Sequence, residues 1–157
     1  SLLANDVSRE KLFLFMVGDG QDFSAVEAEL GQACPEGSYR QLGWQNHADV
    51  PNIMATFDLA VMPYTLDYCS PLKLFEYMAM GLPTIGPDTP SVRELFKDGE
   101  HLWLNPQNTD TPNYLVELIG KLVDDSEQRA NVAEQGCHWV KENYTWCANA
   151  KRVVEQL

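Results

Sequence analysis

One short stretch of this sequence combines the groups that bind a phosphate. Ser70 and Pro71 are typical of the N-cap and first position of a helix. We therefore predict that the backbone N–H groups of Leu72 and Lys73 are unpaired at the start of that helix. Lys73 is also the only lysine or arginine in residues 41–92. Because a helix N-terminus and an ammonium group both attract anions, the stretch predicts a diphosphate site.

Glu76 adds a carboxylate to the same predicted helix. It follows Lys73 by three residues, so both side chains project from one face. A carboxylate at this place can accept hydrogen bonds from two vicinal hydroxyls, such as those of a ribose. The alternative is an exposed ion pair between Lys73 and Glu76, and the residues alone leave both interpretations open.

A second candidate is the loop Gly18-Asp19-Gly20, which separates an apolar strand from a helix. Glycines there allow a ligand phosphate to approach backbone N–H groups. The third glycine of the dinucleotide-binding pattern is replaced by Phe23, and the carboxylates of Asp19 and Asp22 would repel a phosphate. The alternative is a tight turn that uses glycine because φ is positive.

The elements that must position these residues alternate between strand and helix. Short spacing of this kind is typical of a parallel sheet covered on both faces, and predicts an α/β fold with a Rossmann-like sheet sandwiched by helices. The apolar run at 12–17 is expected to be buried on both faces. We predict strands near 12–17, 38–42, 57–62, 83–86 and 101–104, and helices near 22–33 (capped by Asp22), 47–56, 71–80, 90–96, 110–124, 126–142 and 145–157.

Composition limits the partners of the chain. Its 157 residues, 45% of them hydrophobic, fit one domain, and the net charge is −12. Such a charge opposes binding to nucleic acid or anionic lipid. No apolar run is long enough to span a bilayer, and we expect a cytoplasmic protein. The four cysteines lack metal-ligand spacing and are expected to be reduced. The three histidines are scattered along the chain, and His101 is expected either at the surface or lining the site. Because no set of ligands converges, no metal is expected.

The run from Ser70 to Pro83, Ser-Pro-Leu-Lys-Leu-Phe-Glu-Tyr-Met-Ala-Met-Gly-Leu-Pro, resembles the signature of the C-terminal domain of GT-B-fold retaining glycosyltransferases of family 4. The resemblance extends to Val17-Gly18-Asp19-Gly20, Leu42-Gly43-Trp44, residues 48–63, 91–104 and Tyr144-Thr145-Trp146. Several blocks in the family's order are more specific than one motif.

The resemblance implies that a nucleotide diphosphate sugar binds at the carboxyl ends of the strands. Carried over by position, Glu76 would bind the ribose hydroxyls, and the backbone at Leu72 and Lys73 would bind the pyrophosphate. The turn at Gly43 and Trp44 would lie by the nucleobase. The loop from Asp67 to Ser70 would face the sugar. The full set of implied donor-binding residues is Gly18, Asp19, Gly20, Gly43, Trp44, Asp67, Ser70, Pro71, Leu72, Lys73 and Glu76.

The sequence also departs from the family pattern. The family often has a glutamate at the place of Tyr68, and Asp67 would serve the sugar hydroxyls if the loop is shifted by one residue. A first strand carrying an arginine and a lysine has no counterpart before Leu12. We therefore expect residues 1–157 to form one nucleotide-sugar-binding domain of a two-domain enzyme, without that strand and without the N-terminal acceptor domain.

The resemblance implies the donor-binding half of an enzyme that transfers a sugar from a nucleotide diphosphate to a hydroxyl acceptor, with retention of configuration and without a metal. The isolated chain is expected to transfer nothing, and any membrane contact is expected through the missing half. One alternative is a noncatalytic α/β interaction or regulatory domain, such as a receiver-like module. Another is a GT-B-shaped nucleotide-sugar epimerase.

Overall fold

Strands and helices alternate along the first two thirds of the chain in the computed structural model, which describes residues 12–20, 23–108 and 111–155. The elements are β1 (Leu14–Val17), α1 (Phe23–Ala33), β2 (Tyr39–Gly43), α2 (Val50–Met54), β3 (Ala60–Val61), α3 (Leu72–Ala79), β4 (Thr84–Asp88), α4 (Pro90–Leu95), β5 (Trp103–Pro106), α5 (Thr111–Asp124), α6 (Ser126–Asn143) and α7 (Trp146–Glu155). The predicted α/β class is confirmed. The predicted cap Asp22 lies outside the described residues.

The chain divides into two compact units, and the first ends at Pro51. It holds a parallel pair of strands in which Leu14 of β1 lies opposite Tyr39 of β2. The prediction that β1 is buried on both faces is wrong: Phe13 remains 49% exposed, and the strand residues Leu14, Phe15 and Val17 are also exposed. In the described part of the chain this sheet has two strands, and too few elements pack on it to cover both of its faces.

The second unit, residues 52–157, contains a three-stranded parallel sheet in the order β3-β4-β5. Ile85 of the central strand pairs with Val61 of β3 on one side and with Trp103 of β5 on the other. The parallel arrangement predicted from the sequence is therefore confirmed. The carboxyl ends of all three strands lie at one edge, where ligands of open α/β sheets bind.

Helix α3 is fixed to this sheet by its apolar side. Leu74 and Met78 are fully buried, in a core that also includes Val92, Phe96, Leu102, Leu104 and Val140. A Cβ added to Gly86 of β4 would lie 3.0 Å from a methyl carbon of Leu74. The helix therefore packs closely on β4, and a side chain at position 86 would require Leu74 to shift.

Three helices close the chain, as predicted. The side chain of Asp125 caps α6 by accepting a hydrogen bond from the N–H of Gln128 at 2.9 Å. His101, expected at the surface or lining the site, is instead buried and stacks on Trp139. All four cysteines are free. In the described part of the chain no helix is long and apolar enough to cross a membrane.

Candidate functional site

The turns that follow β1 and β2 meet at the carboxyl ends of these strands. Gly18 and Gly43 have φ of +117° and +63°, and the N–H of Gly18 donates to the carbonyl oxygen of Gly43 at 2.8 Å. Among the described residues, no atom lies within 4 Å of a Cβ built on either glycine. The backbone conformation, and not a close neighbour, therefore requires glycine here. This supports the tight-turn interpretation of the first loop.

Asp19, Gly20 and Trp44 extend this group at the protein surface. All three are exposed, and Trp44 is 69% exposed. Its indole ring is therefore available for stacking on a flat ligand. Because the carboxylate of Asp19 repels phosphate, the group is better suited to an uncharged part of a ligand than to a diphosphate.

Helix α3 starts one residue later than the sequence predicts. Its N-cap is Pro71, with φ −82° and ψ 56°, and no side chain caps it. The expected N-cap role of Ser70 is therefore wrong, and Pro71 precedes the first helical residue. The physical reason is that the backbone replaces the hydroxyl: the carbonyl oxygen of Ser70 accepts the N–H of Leu72 at 2.9 Å.

This geometry changes which backbone groups are available for an anion. The N–H of Leu72, predicted to be unpaired, is bonded, and the N–H of Leu74 donates to Pro71 at 3.0 Å. For the N–H of Lys73, the described residues contain no hydrogen-bond acceptor. Lys73 therefore brings both a backbone donor and an ammonium group to the start of α3.

Lys73 and Glu76 project from the exposed side of α3, opposite the buried side of the helix. Within the described residues neither forms an ion pair within 4.0 Å, so the alternative of a Lys73–Glu76 pair is not found. Both charges remain available to a ligand. The burial of Leu74 and Met78 fixes the backbone that carries them, and with it the direction in which the two side chains leave the helix.

Glu76 also acts on its neighbour Tyr77. Burial raises the pKa of the Tyr77 phenol, and the nearby Glu76 carboxylate raises the pKa further. The phenol therefore stays protonated and uncharged under ordinary conditions. Glu76 and Lys73 are then the charged groups of this helix.

The loop that leads into α3 is held at a few points and open at its tip. Thr65 is buried, and the N–H of Cys69 donates to the carbonyl oxygen of Leu66 at 2.9 Å. Asp67 and Ser70 are exposed, and Tyr68 is 84% exposed. The side chains of Asp67 and Tyr68, which the sequence offered as alternatives, are therefore both accessible to a ligand.

Two residues that the sequence did not single out anchor the base of this loop. Asn105 Nδ2 donates to the carbonyl oxygen of Pro63 at 3.1 Å, and Gln107 Nε2 donates to the same oxygen at 3.0 Å. Their only sequence signal is a pair of amides flanking Pro106 at the end of an apolar strand.

Each group of predicted site residues is thus assembled within its own unit. The first unit brings together the loop at Gly18, Asp19 and Gly20 and the turn at Gly43 and Trp44. The second unit brings together Lys73 and Glu76 with the loop that ends at Ser70 and Pro71. Leu72 lies with them, but its N–H is occupied.

Comparison with known proteins identifies relatives of this arrangement. The family model described as glycosyl transferases group 1 matches residues 1–139. A putative teichuronic acid biosynthesis glycosyltransferase, TuaH of Bacillus subtilis, is 38% identical over 100 residues, which cover 57% of this chain and 25% of TuaH. The chain thus spans about a quarter of the length of that relative.

Solved structures show the same fold at low sequence identity. HepE of Anabaena, crystallised with UDP, superposes with a TM-score of 0.80 at 20% identity, over 92% of this chain and 40% of HepE. The C-terminal domain of LpcC, a glycosyl transferase group 1 family protein of Francisella tularensis, superposes with a TM-score of 0.71 at 15% identity, over 88% of this chain and 91% of that domain. The fold is that of a C-terminal domain of GT-B glycosyltransferases.

Proposed function

The chain belongs to the family of glycosyl transferases group 1, and on that premise we propose that it is the donor-binding half of a retaining glycosyltransferase of family 4. The full enzyme transfers a sugar, of hexose type, from a nucleotide diphosphate to a hydroxyl acceptor. The proposal is supported chiefly by Lys73 and Glu76, which are both exposed on one side of α3, while the other side of this helix is buried in the core. The UDP bound by HepE, which has the same fold, supports the choice of ligand class.

The diphosphate is placed at the start of α3. The Lys73 ammonium group and the unpaired Lys73 N–H complement its charge, together with the positive end of the helix dipole. During transfer the bond between sugar and diphosphate breaks, and negative charge develops on the departing oxygen. Donors already oriented by the fold stabilise that charge without reorganising. Lys73 is thus proposed to act most strongly on the leaving group.

The rest of the donor is assigned from the resemblance to the family. The Glu76 carboxylate accepts hydrogen bonds from the ribose hydroxyls, and Trp44, next to Gly43, contacts the nucleobase. Asp67 and Ser70 face the sugar. No metal is required in this proposal, since the ammonium group, the helix end and the remaining cationic groups of the full enzyme together offset the charge of the diphosphate.

The acceptor site is proposed to belong to a further, N-terminal domain of the full enzyme, and the remaining cationic groups to a further strand of the donor domain. The chain alone is then expected to bind nucleotide without transferring sugar. With a net charge of −12, it is a poor surface for anionic lipid. Contact with a membrane by this otherwise cytoplasmic protein, where it occurs, is assigned to the other domain.

The ribose contact of Glu76 gives the sharpest test of the function. Calorimetric titration of the chain with UDP, GDP and ADP first identifies the base. Glu76→Ala is then titrated with that nucleotide and with its 2′,3′-dideoxy form. We expect about tenfold weaker binding of the ribonucleotide and a much smaller effect on the dideoxynucleotide, because both hydroxyls that Glu76 would bind are already absent there.

A matched control is Glu117→Ala, which removes the same charge from an exposed helical position of α5. It should leave both affinities unchanged. Equal weakening of both nucleotides by Glu76→Ala would contradict the ribose contact. Failure of the wild-type chain to bind any of the three nucleotides would contradict donor binding by this domain.

A further inference from the structure

The donor loop, defined as residues 62–70, begins where the sheet hydrogen bonds stop. The N–H of Met62 donates to the carbonyl oxygen of Ile85 at 2.9 Å. Pro63 follows Met62, and Pro87 lies two residues beyond Ile85 in β4. Pro87 has no N–H with which to continue the ladder towards β3. The direction of the chain at Pro63 must therefore be fixed by other groups.

Two side-chain amides from the end of β5 fix it. Asn105 Nδ2 and Gln107 Nε2 both donate to the carbonyl oxygen of Pro63, at 3.1 Å and 3.0 Å. Gln107 Nε2 also donates to the carbonyl oxygen of Asn105 at 2.8 Å. Because β5 neighbours β4 and not β3, the amides reach past the central strand. Two donors match the two lone pairs of a carbonyl oxygen.

The burial of the amides argues for a specific role. Asn105 is completely buried, and in the part of the chain that the structure describes its Oδ1 and the Oε1 of Gln107 are buried without a hydrogen-bond partner. Burying an amide costs free energy unless its hydrogen bonds are made, so an apolar residue would suit the end of this strand better. The hydrogen bonds from their N–H groups to the carbonyl oxygen of Pro63 compensate part of this cost. Their oxygens are closed to solvent.

We propose that Asn105 and Gln107 are positioning residues that hold Pro63, and through it the donor loop, in the conformation that binds the nucleotide sugar. The inference rests on the proposed function, because the loop leads through Asp67 and Ser70 to the start of α3. It goes beyond that function because it proposes that two side chains outside the donor site determine the conformation of the donor loop.

The test uses Gln107→Met, which keeps the length of the side chain and removes its donor. Gln107 lies beyond β5 and is only partly buried, so its substitution disturbs the core less than substitution of the fully buried Asn105. Amide hydrogen exchange is measured at Cys69, which reports the turn inside the loop, and at Met62, which reports the sheet. Calorimetry on the same samples measures the affinity for UDP, or for GDP or ADP if the wild-type chain binds that nucleotide instead.

We expect exchange at Cys69 to accelerate about tenfold while exchange at Met62 is unchanged, and nucleotide affinity to fall by a similar factor. The matched control is Asn143→Ala, which also removes an amide that donates to a backbone carbonyl, that of Trp139 at 3.0 Å. Its loop exchange and affinity should match the wild type.

Unchanged exchange at Cys69 in Gln107→Met would overturn the positioning role. Equal acceleration at Cys69 and Met62 would also overturn it, because the whole sheet would then have loosened. A wild-type chain that binds none of the three nucleotides would overturn the proposed function instead, and the exchange rates would still decide whether the amides hold the loop.

Discussion

Gly136 of α6 packs directly against the backbone of His101, so that a Cβ at position 136 would overlap the carbonyl oxygen of His101 and lie 3.3 Å from Sδ of Met78. Met78 belongs to the buried side of α3. The glycine therefore lets α6 approach both the turn before β5 and the helix that carries Lys73 and Glu76. The position of the candidate site depends on this contact.

Gly136→Ala should destabilise the second unit. The overlap involves backbone, which cannot rotate away, so we expect the free energy of unfolding to fall by about 2 kcal/mol. Urea unfolding followed by circular dichroism measures it. Gly120→Ala is the control: Gly120 also lies in a helix, and the described residues place nothing within 4 Å of its Cβ. That variant should gain about 0.5–1 kcal/mol from helix propensity, and a loss similar to that of Gly136→Ala would refute the steric explanation.

Acid should weaken the fold through His101. Burial lowers the pKa of its imidazole, although the neighbouring Glu100 carboxylate, 3.3 Å from Nε2, partly opposes this. The unfolded chain then takes up a proton near the ordinary value of 6.5, while the folded chain does so only at lower pH. Stability is complete above that value and falls as the pH drops from it towards the folded pKa.

Melting temperatures measured from neutral pH down to about pH 5 test this dependence. His101→Gln should flatten the profile over that range. His138→Gln, at an exposed position of α6, should not. If the His101 variant retains the full slope, another group is responsible.

Thr89 caps a helix with its side chain, whereas Ser70, which the sequence also suggested as an N-cap, does not. The Thr89 hydroxyl accepts the N–H of Val92 at 3.4 Å at the start of α4, whereas no side chain caps α3. Thr89→Ala should therefore lower the free energy of unfolding by about 1 kcal/mol, and Ser70→Ala should leave it unchanged. Thr89→Ser keeps the hydroxyl and should recover most of the loss. A cost for Ser70→Ala as large as that for Thr89→Ala would contradict the assignment.

The alternation of strands and helices could be predicted because each element carries its own periodicity and punctuation. Helix α3 illustrates this. Its apolar residues Leu74 and Met78 are four apart, and Gly81 ends it with φ +73°. The exposed positions of Lys73 and Glu76 follow from that pattern. The start of the helix could not be predicted to the residue, since either a hydroxyl or a backbone carbonyl can satisfy its first N–H.

Features that depend on distant neighbours were not predictable. The apolar composition of β1 indicated burial, but burial depends on how many strands and helices lie beside it. Asn105 and Gln107 were missed because their partner, Pro63, is more than forty residues away. His101 was expected to be polar and accessible, and its stacking on Trp139 comes from the packing of α6.

The most direct test of donor binding is the dependence of affinity on the diphosphate. Lys73→Ala and the control Lys121→Ala, which alters an exposed lysine of α5, are titrated with UDP and UMP, or with the corresponding pair for the preferred base. We predict that Lys73→Ala weakens binding of the diphosphate about tenfold and binding of the monophosphate much less, since fewer charges face the missing ammonium group. Lys121→Ala should change neither affinity. Equal affinities for the diphosphate in wild type and Lys73→Ala would contradict the proposed diphosphate contact.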